Sequence, residues 1–176
     1  MFKDDFYRNT GEHWKLNIKN LLIILYSHQI RYLFWLRRAH NIGNILEKYK
    51  LYRFSRKYGL EISSKADIGA GLYLGHPYNI TVSAGAVLGK NCNLHKGCTI
   101  GRENRGIRAG SPQIGNQVYI GINSTVVGNI TIGDDVLIGA NTFVNFDVPT
   151  HSIVIGNPAT IHYKENATDK YIVHTV

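Results

Sequence analysis

Cysteine is almost missing from this chain: Cys92 and Cys98 are its only two. They stand six positions apart in equivalent places of a repeat, so they read as buried free thiols and not as a bridge. A chain without a disulfide framework, and without a signal peptide at Met1-Phe2-Lys3-Asp4-Asp5, is expected in a reducing cytoplasm. Long apolar runs are missing too. The longest near the start, Leu21 to Tyr26, is far below the ~20 residues that span a bilayer. Acid is scarce in the first third: residues 1–60 carry twelve Lys and Arg against four Asp and Glu, while residues 61–176 carry eight of each. The whole formal charge of +8 therefore sits in residues 1–60. Such a basic patch is one route to nucleic acid, but no nucleic-acid fold motif accompanies it, so no such partner is expected. Histidine is sparse where metal ligands would be needed. Between Ile62 and Val144 only His76 and His95 occur, so no metal site is expected.

What the chain does have is a period of six. Aliphatic residues return at Ile62, Ile68, Leu74 and Ile80, then, after one eight-residue step, at Leu88, Leu94 and Ile100. After a polar excursion they resume at Ile114, Ile120, Val126, Ile132, Ile138 and Val144. Neither an amphipathic helix (period 3.6) nor a half-buried strand (period 2) gives this spacing. Stacked hexapeptide coils do, at about eighteen residues per three-sided turn and about five turns in all. The aliphatic residue points into the prism. So does the residue four further on: Ala66, Cys92, Cys98, Val118, Ser124, Val136 and Thr142. Glycine commonly follows the aliphatic residue and is expected to ease the turn. One coil cannot bury its apolar face alone, so the coils hold each other by nearest-neighbour contact.

The order of motifs resembles the left-handed β-helix acyltransferases, and most of all their serine acetyltransferase branch. The pieces are Gly71-Leu72-Tyr73-Leu74-Gly75-His76, the step from Ile80 to Leu88, and Cys98-Thr99-Ile100-Gly101. Ser111-Pro112-Gln113-Ile114-Gly115, Val127-Gly128-Asn129-Ile130 and Ile155-Gly156-Asn157-Pro158-Ala159 follow. The resemblance covers roughly the last two thirds of the chain. It implies an all-β, left-handed parallel β-helix at residues 61–161, preceded by a short basic α-helical region at 1–60 and followed by a tail at 162–176. A strand at Tyr171 to Val173 is expected in the tail. Residues 1–11 read as a loose arm or short helix, Glu12 to about Ala39 as helical, and Ile42 to Tyr58 as a further helix capped by Gly59.

The same resemblance assigns chemistry. His76 matches the histidine that acts as general base, a task that suits imidazole because its pKa lies near operating pH. Counting back, Glu61 takes the place of the carboxylate that orients that ring. His95 falls one coil above His76, since the twenty residues from Leu74 to Leu94 make one coil plus the two-residue surplus. It has two readings, substrate or cofactor contact and plain surface histidine. The acidic residue expected before the base is Gly75 here. Ser111 replaces the loop histidine, and Ala84 replaces the glutamate on the eight-residue step. Those groups hold the amino acid acceptor in serine acetyltransferases, so their loss points to a different acceptor. Tyr78 and Asn79 suit a sugar, and the loop arginine Arg102, with Arg105 and Arg108, suits phosphate or carboxylate. Acetyl-CoA is implied as co-substrate, its pantetheine arm lying against backbone near Gly101, Gly121 and Ala140 in a groove between neighbouring prisms of a homotrimer.

The expected function is thus O-acetylation of a capsular or exopolysaccharide sugar, or of its lipid-linked precursor. Serine O-acetylation for cysteine biosynthesis and a non-catalytic β-helix scaffold are the alternatives. The basic, aromatic first third has two compatible uses. It can cap the first coil and aid subunit association, or it can rest on an anionic membrane surface at the inner face of the cell membrane.

Overall fold

The computed structural model describes residues 1–41 and 43–176. Four helices come first: α1 (Phe2–Thr10), α2 (Ile18–Tyr26), α3 (His28–Asn41) and α4 (Ile45–Tyr58). A parallel three-faced β-helix follows. Its first face stacks Glu61–Ile62, Thr81–Val82, Thr99–Gly101, Thr125–Val127 and Phe143–Val144. Its second stacks Asp67–Ile68, Val87–Leu88, Gln113–Ile114 and Thr131–Ile132. Its third stacks Tyr73–Gly75, Asn93–His95, Val118–Ile120, Val136–Ile138 and Ser152–Gly156, and the last of these pairs antiparallel with Ala159–Tyr163. That hairpin covers the last parallel strand of the third face, while the first face ends on Phe143–Val144.

The inward register follows the period. Leu74 pairs with Leu94, and Leu94 with Ile120. Every residue expected four places after the aliphatic one is buried, from Ala66 to Thr142. The two hydroxyls among them are satisfied along the rod axis. Ser124 Oγ donates to the Gly139 carbonyl at 2.6 Å, and Thr142 Oγ1 accepts from the Gly156 N–H at 3.2 Å. Both cysteines are buried free thiols, and burial pushes each up to about 12, which removes them from thiolate chemistry near neutral pH.

The glycines after the aliphatic positions serve a different purpose from the one expected. The left-handed backbone of the corners is carried by other residues. Asn79, Gly97, Asn123 and Asn141 carry it at one corner, and Gly71, Asn91, Gln117, Asp135 and His151 at another, all with positive φ. Gly69, Gly89 and Gly121 face the next coil instead. A Cβ on Gly69 would lie 2.6 Å from the Gly89 carbonyl carbon, and one on Gly121 would lie 2.8 Å from Ala140 N, Gly139 C and Ile138 O. Close coil-to-coil approach, not turn geometry, requires glycine there.

The helices are not a loose appendage. Tyr32, Leu33, Leu36 and Phe54 share one continuous core with the first coils. A buried ion pair fastens them. Arg37 Nε and Nη2 donate to the Asp5 carboxylate at 2.7 and 2.9 Å, and Asp5 Oδ1 accepts the N–H groups of Gly71 and Leu72. Residues 1–11 therefore form a docked helix and its Gly11 cap, not an arm. Asn17 caps α2 through the Asn20 N–H, and Ser27, in extended backbone, separates α2 from α3. The last helix begins at Ile45 behind an Asn44 cap and stops at Gly59 as expected; Ile42, where its start was placed from sequence, lies outside the described residues. α2 turns Asn20 inward and leaves Ile18, Leu21, Leu22, Leu25 and Tyr26 exposed along one stripe. Among the described residues no helix is long and apolar enough to cross a membrane.

The tail contains no strand at Tyr171 to Val173; it runs back along the third face in turns. Its bonds go to side chains, not to a ladder. Asp135 accepts the N–H groups of Ala167 and Thr168 at 2.9 Å each, Asn93 Nδ2 donates to the Tyr171 carbonyl, and Arg8 donates to the Val173 carbonyl.

Candidate functional site

The candidate residues gather at two corners of the rod. At the corner between the third and first faces, His76 follows the Tyr73–Gly75 strand with its backbone at φ 48° and its side chain exposed. Pro77 is buried behind it, and the Tyr78 N–H returns to the His76 carbonyl at 2.8 Å, which closes a tight loop. Asn79, at φ 54°, donates its N–H to the Tyr58 carbonyl at 2.9 Å and so ties the loop to α4. Glu61 is adjacent, its N–H donating to the Ile80 carbonyl at 2.8 Å. Its carboxylate accepts from Ser55 Oγ at 3.3 Å, and among the described residues no hydrogen bond joins it to His76.

His95 stands directly above, paired with Gly75. The placement of these two explains each other. A Cβ on Gly75 would find three ring atoms of His95 at or inside 3.0 Å, so the imidazole fills the space that a side chain at 75 would take. The ring is held between Tyr73 (centroids 6.0 Å apart) and Tyr119 (4.5 Å), and Tyr171 from the tail closes on Tyr119 at 5.3 Å. Burial, and then the charge of His76 nearby, hold the His95 pKa below its ordinary value. Its Nε2 is buried and has no hydrogen-bond partner among the described residues.

The same corner continues upward through Lys96, Ile122 and Ala140, linked by N–H groups of Asn123 to Lys96 and Asn141 to Ile122. Ala140 is exposed on this column, whereas Gly121 is buried against its own next coil. Gly121 is small for a reason internal to the rod, and its expected closeness to a pantetheine arm is not needed to account for it.

Gly101, Arg102 and Ser111 lie at the other end of the first face, in and beside the excursion. That excursion is a small hairpin. Glu103 and Gly110 exchange both backbone bonds at 2.9 Å, and Ile107 at its tip is 100% exposed. Its base rests on the next coil through the Asn129 N–H donating to the Arg108 carbonyl. Ser111 is not free: its hydroxyl pairs with Ser83 Oγ at 3.1 Å. A Cβ on Gly101 would meet Val127 Cγ2 and Thr99 Cγ2 at ordinary distances of 3.5 and 3.6 Å, so packing within the rod does not require glycine there. One chain thus does not bring Gly101, Arg102 and Ser111 to His76, because a whole face of the prism separates the two corners.

Sequence reasoning missed His28 and Tyr58. His28, the first residue of α3, stacks on Tyr58 (4.6 Å, 18°) and meets Tyr78 at 5.3 Å. Burial, then the neighbouring Arg31 charge, keep its pKa below the ordinary histidine value. Helical periodicity placed both residues on helices but carried no signal of which loop they would support.

Comparison with known proteins bears on this arrangement. The family described as bacterial transferase hexapeptide (six repeats) matches residues 111–145. The serine acetyltransferase of Helicobacter pylori (strain ATCC 700392 / 26695) is 33% identical over 129 residues, which cover 69% of this chain and 75% of that protein. The crystal structure of the Neisseria gonorrhoeae serine acetyltransferase superposes with a TM-score of 0.73 at 30% identity, over 93% of this chain and 63% of that one. A serine acetyltransferase structure in complex with CoA gives 0.69 at 28% identity, over 79% and 59%. The chain spans only 40% of the length of serine acetyltransferases 2 and 4 of Arabidopsis thaliana, which it also matches. The repeat, the single rod with helices before it and the extent of these matches agree, and the chain belongs to the serine acetyltransferase branch of the hexapeptide-repeat acyltransferases, with their left-handed parallel β-helix.

Proposed function

We propose that the chain is an acetyl-CoA-dependent O-acetyltransferase with His76 as its general base. The observation that carries this is the His76 corner itself: an exposed imidazole, set on a strained tight loop, at the foot of the column that ends in Ala140. In the reaction the acceptor hydroxyl gives its proton to the His76 ring as its oxygen bonds to the thioester carbonyl carbon. The C–S bond then breaks, and the proton passes from His76 to the departing thiolate, leaving an acetyl ester and free CoA. A positioned base contributes typically ~10²–10⁴-fold to such a step. Glu61 would hold the imidazolium by exchanging its Ser55 contact for the ring.

For the acceptor, the relatives named above are serine acetyltransferases, which supports serine over the carbohydrate expected from sequence. One observation keeps the second reading in play. His95 occupies the space over Gly75 where an acidic side chain is expected in a serine site. Release of free thiol from acetyl-CoA, measured with serine and then with sugars, separates the two. Turnover with serine removes the carbohydrate reading; turnover with a sugar alone removes serine. Activity that is unchanged in His76→Ala, or absent with every acceptor, returns the chain to a scaffold.

The split of candidate residues between two corners supports a homotrimer. A second copy laying its Gly101 corner against the His76 corner of the first would complete the site, and sedimentation should give three copies. The basic first third and the exposed α2 stripe support peripheral contact with an anionic membrane. Flotation with anionic vesicles that weakens with salt would agree, and no flotation would dismiss it.

A further inference from the structure

A cleft of about 900 Å³ opens between α3 and α4. Five cations line it: Arg31, Lys50, Arg53, Arg56 and Lys57. No ion pair among the described residues involves any of them. Glu47, the one acidic residue of α4, is already engaged by Arg38 at 3.1 Å. The cations rest on aromatic faces instead. Lys50 lies 5.7 Å from the Trp35 ring centroid, Arg56 5.9 Å from Tyr52 and Lys57 5.2 Å from Tyr58. Arg31 is fixed over Phe54 and by the Leu25 carbonyl, yet its Nε is buried with no acceptor. Like charges converging without a counter-ion repel one another, and a polyanion in the cleft would relieve that repulsion.

We propose that this cleft binds a diphosphate group carried by the acceptor substrate. The proposal rests on the second acceptor reading above, the carbohydrate kept in play by His95 over Gly75, and deepens it; serine itself carries no diphosphate. Arginine and lysine are the usual partners of phosphate oxygens, and five of them match the several anionic oxygens of a diphosphate better than a single carboxylate. The aromatic walls suit a ring attached to it. Position connects the cleft to the chemistry: its Tyr58 end meets His28 and Tyr78, and Tyr78 is two residues from His76. A diphosphate seated there leaves the group it carries at the His76 corner, on the side opposite the column that runs up to Ala140. A soluble nucleotide-linked acceptor and a prenyl-linked one share this chemistry.

Isothermal titration of the intact chain with inorganic pyrophosphate, uridine diphosphate, and vesicles of phosphatidylcholine with and without farnesyl diphosphate tests it. The expected result is saturable pyrophosphate binding. In the K50Q/R53Q/R56Q variant it falls at least tenfold while the melting temperature holds; Arg53 and Arg56 are exposed and Lys50 is half-buried with no ion pair among the described residues, so the fold should tolerate the change. Tighter binding of uridine diphosphate than of pyrophosphate assigns a soluble acceptor, and binding confined to diphosphate-bearing vesicles assigns a lipid-linked one. Equal affinity in the variant, an equal loss of CoA affinity in the variant, or equal binding of sulfate overturns the proposal. Because no acetyl transfer is read, a chain that binds pyrophosphate but does not acetylate refutes the catalytic reading alone.

Discussion

Gly75 and His95 should behave as one unit, and this can be measured. Gly75 lies in ordinary extended backbone, so Gly75→Ala asks only for space. The added Cβ would find three ring atoms of His95 at or inside 3.0 Å, and the ring is backed by Tyr119 at 4.5 Å. It cannot retreat freely. Overpacking of this kind costs about 1–3 kcal/mol. His95→Ala removes the ring, and in the double variant the alanine methyl at 75 sits in vacated space. The two changes should therefore couple by about 1–2 kcal/mol, within the range seen for side chains in contact. Urea unfolding of the four proteins, at one fixed protomer concentration, gives the cycle directly. Additivity within about 0.5 kcal/mol would refute the claim that the imidazole holds the space at position 75. The same pair decides acceptor choice on the proposed reading. Gly75→Asp with His95→Ala should raise turnover with serine above either single change.

Gly121→Ala should destabilise the rod by about 1–3 kcal/mol, because its Cβ meets three backbone atoms at 2.8 Å, while Gly101→Ala should leave stability within about 0.5 kcal/mol and instead raise the KM for acetyl-CoA. Thermal melts and steady-state kinetics on the two variants separate a packing role from a binding one. Asp5→Ala leaves the Arg37 guanidinium buried without its partner and should cost about 3–5 kcal/mol, read from denaturant midpoints. Burial holds both His28 and His95 below the ordinary value of 6.5. Below that pH the unfolded chain takes up protons that the folded chain refuses, so stability should fall as pH drops from 6.5 toward the folded pKa values, and be flat above it. Urea midpoints across that window check the sign, and His95→Phe should shallow the slope.

Much of the rod could be read from residue spacing alone. Twenty residues from Leu74 to Leu94 give one coil and a two-residue surplus, and the structure pairs those leucines in register. Position four after each aliphatic residue points inward, even where it is Ser124 or Thr142, because a hydroxyl there can bond along the axis to the next coil. What the period could not carry was anything set by contacts across long separations. The tail was expected to hold a strand at Tyr171. It does not, because its carbonyls are taken by Asn93 and Arg8 and its N–H groups by Asp135, residues that look like ordinary surface polar groups in sequence. Gly121 shows the same limit: the neighbouring coil demands glycine there, and a glycine demanded by a coil and one demanded by a ligand are the same letter.

The candidate site shows the same division more sharply. His76 was visible because a motif surrounds it, and Gly75 was visible as a departure from that motif. The reason for the departure was not, because it lies twenty residues away in the ring of His95. An acidic side chain at 75 and an imidazole at 95 compete for one volume, so a chain that adopts His95 must give up bulk at position 75. The substitution at 75 then has two possible origins: selection for another acceptor, or accommodation of the Tyr73–His95–Tyr119 stack that anchors the tail through Tyr171. These differ in what relief of the crowding does. If accommodation is the origin, His95→Ala with Gly75→Asp restores serine turnover and loosens the tail, visible as faster amide exchange at Ala167 and Thr168. If acceptor choice is the origin, the tail loosens and serine turnover does not return.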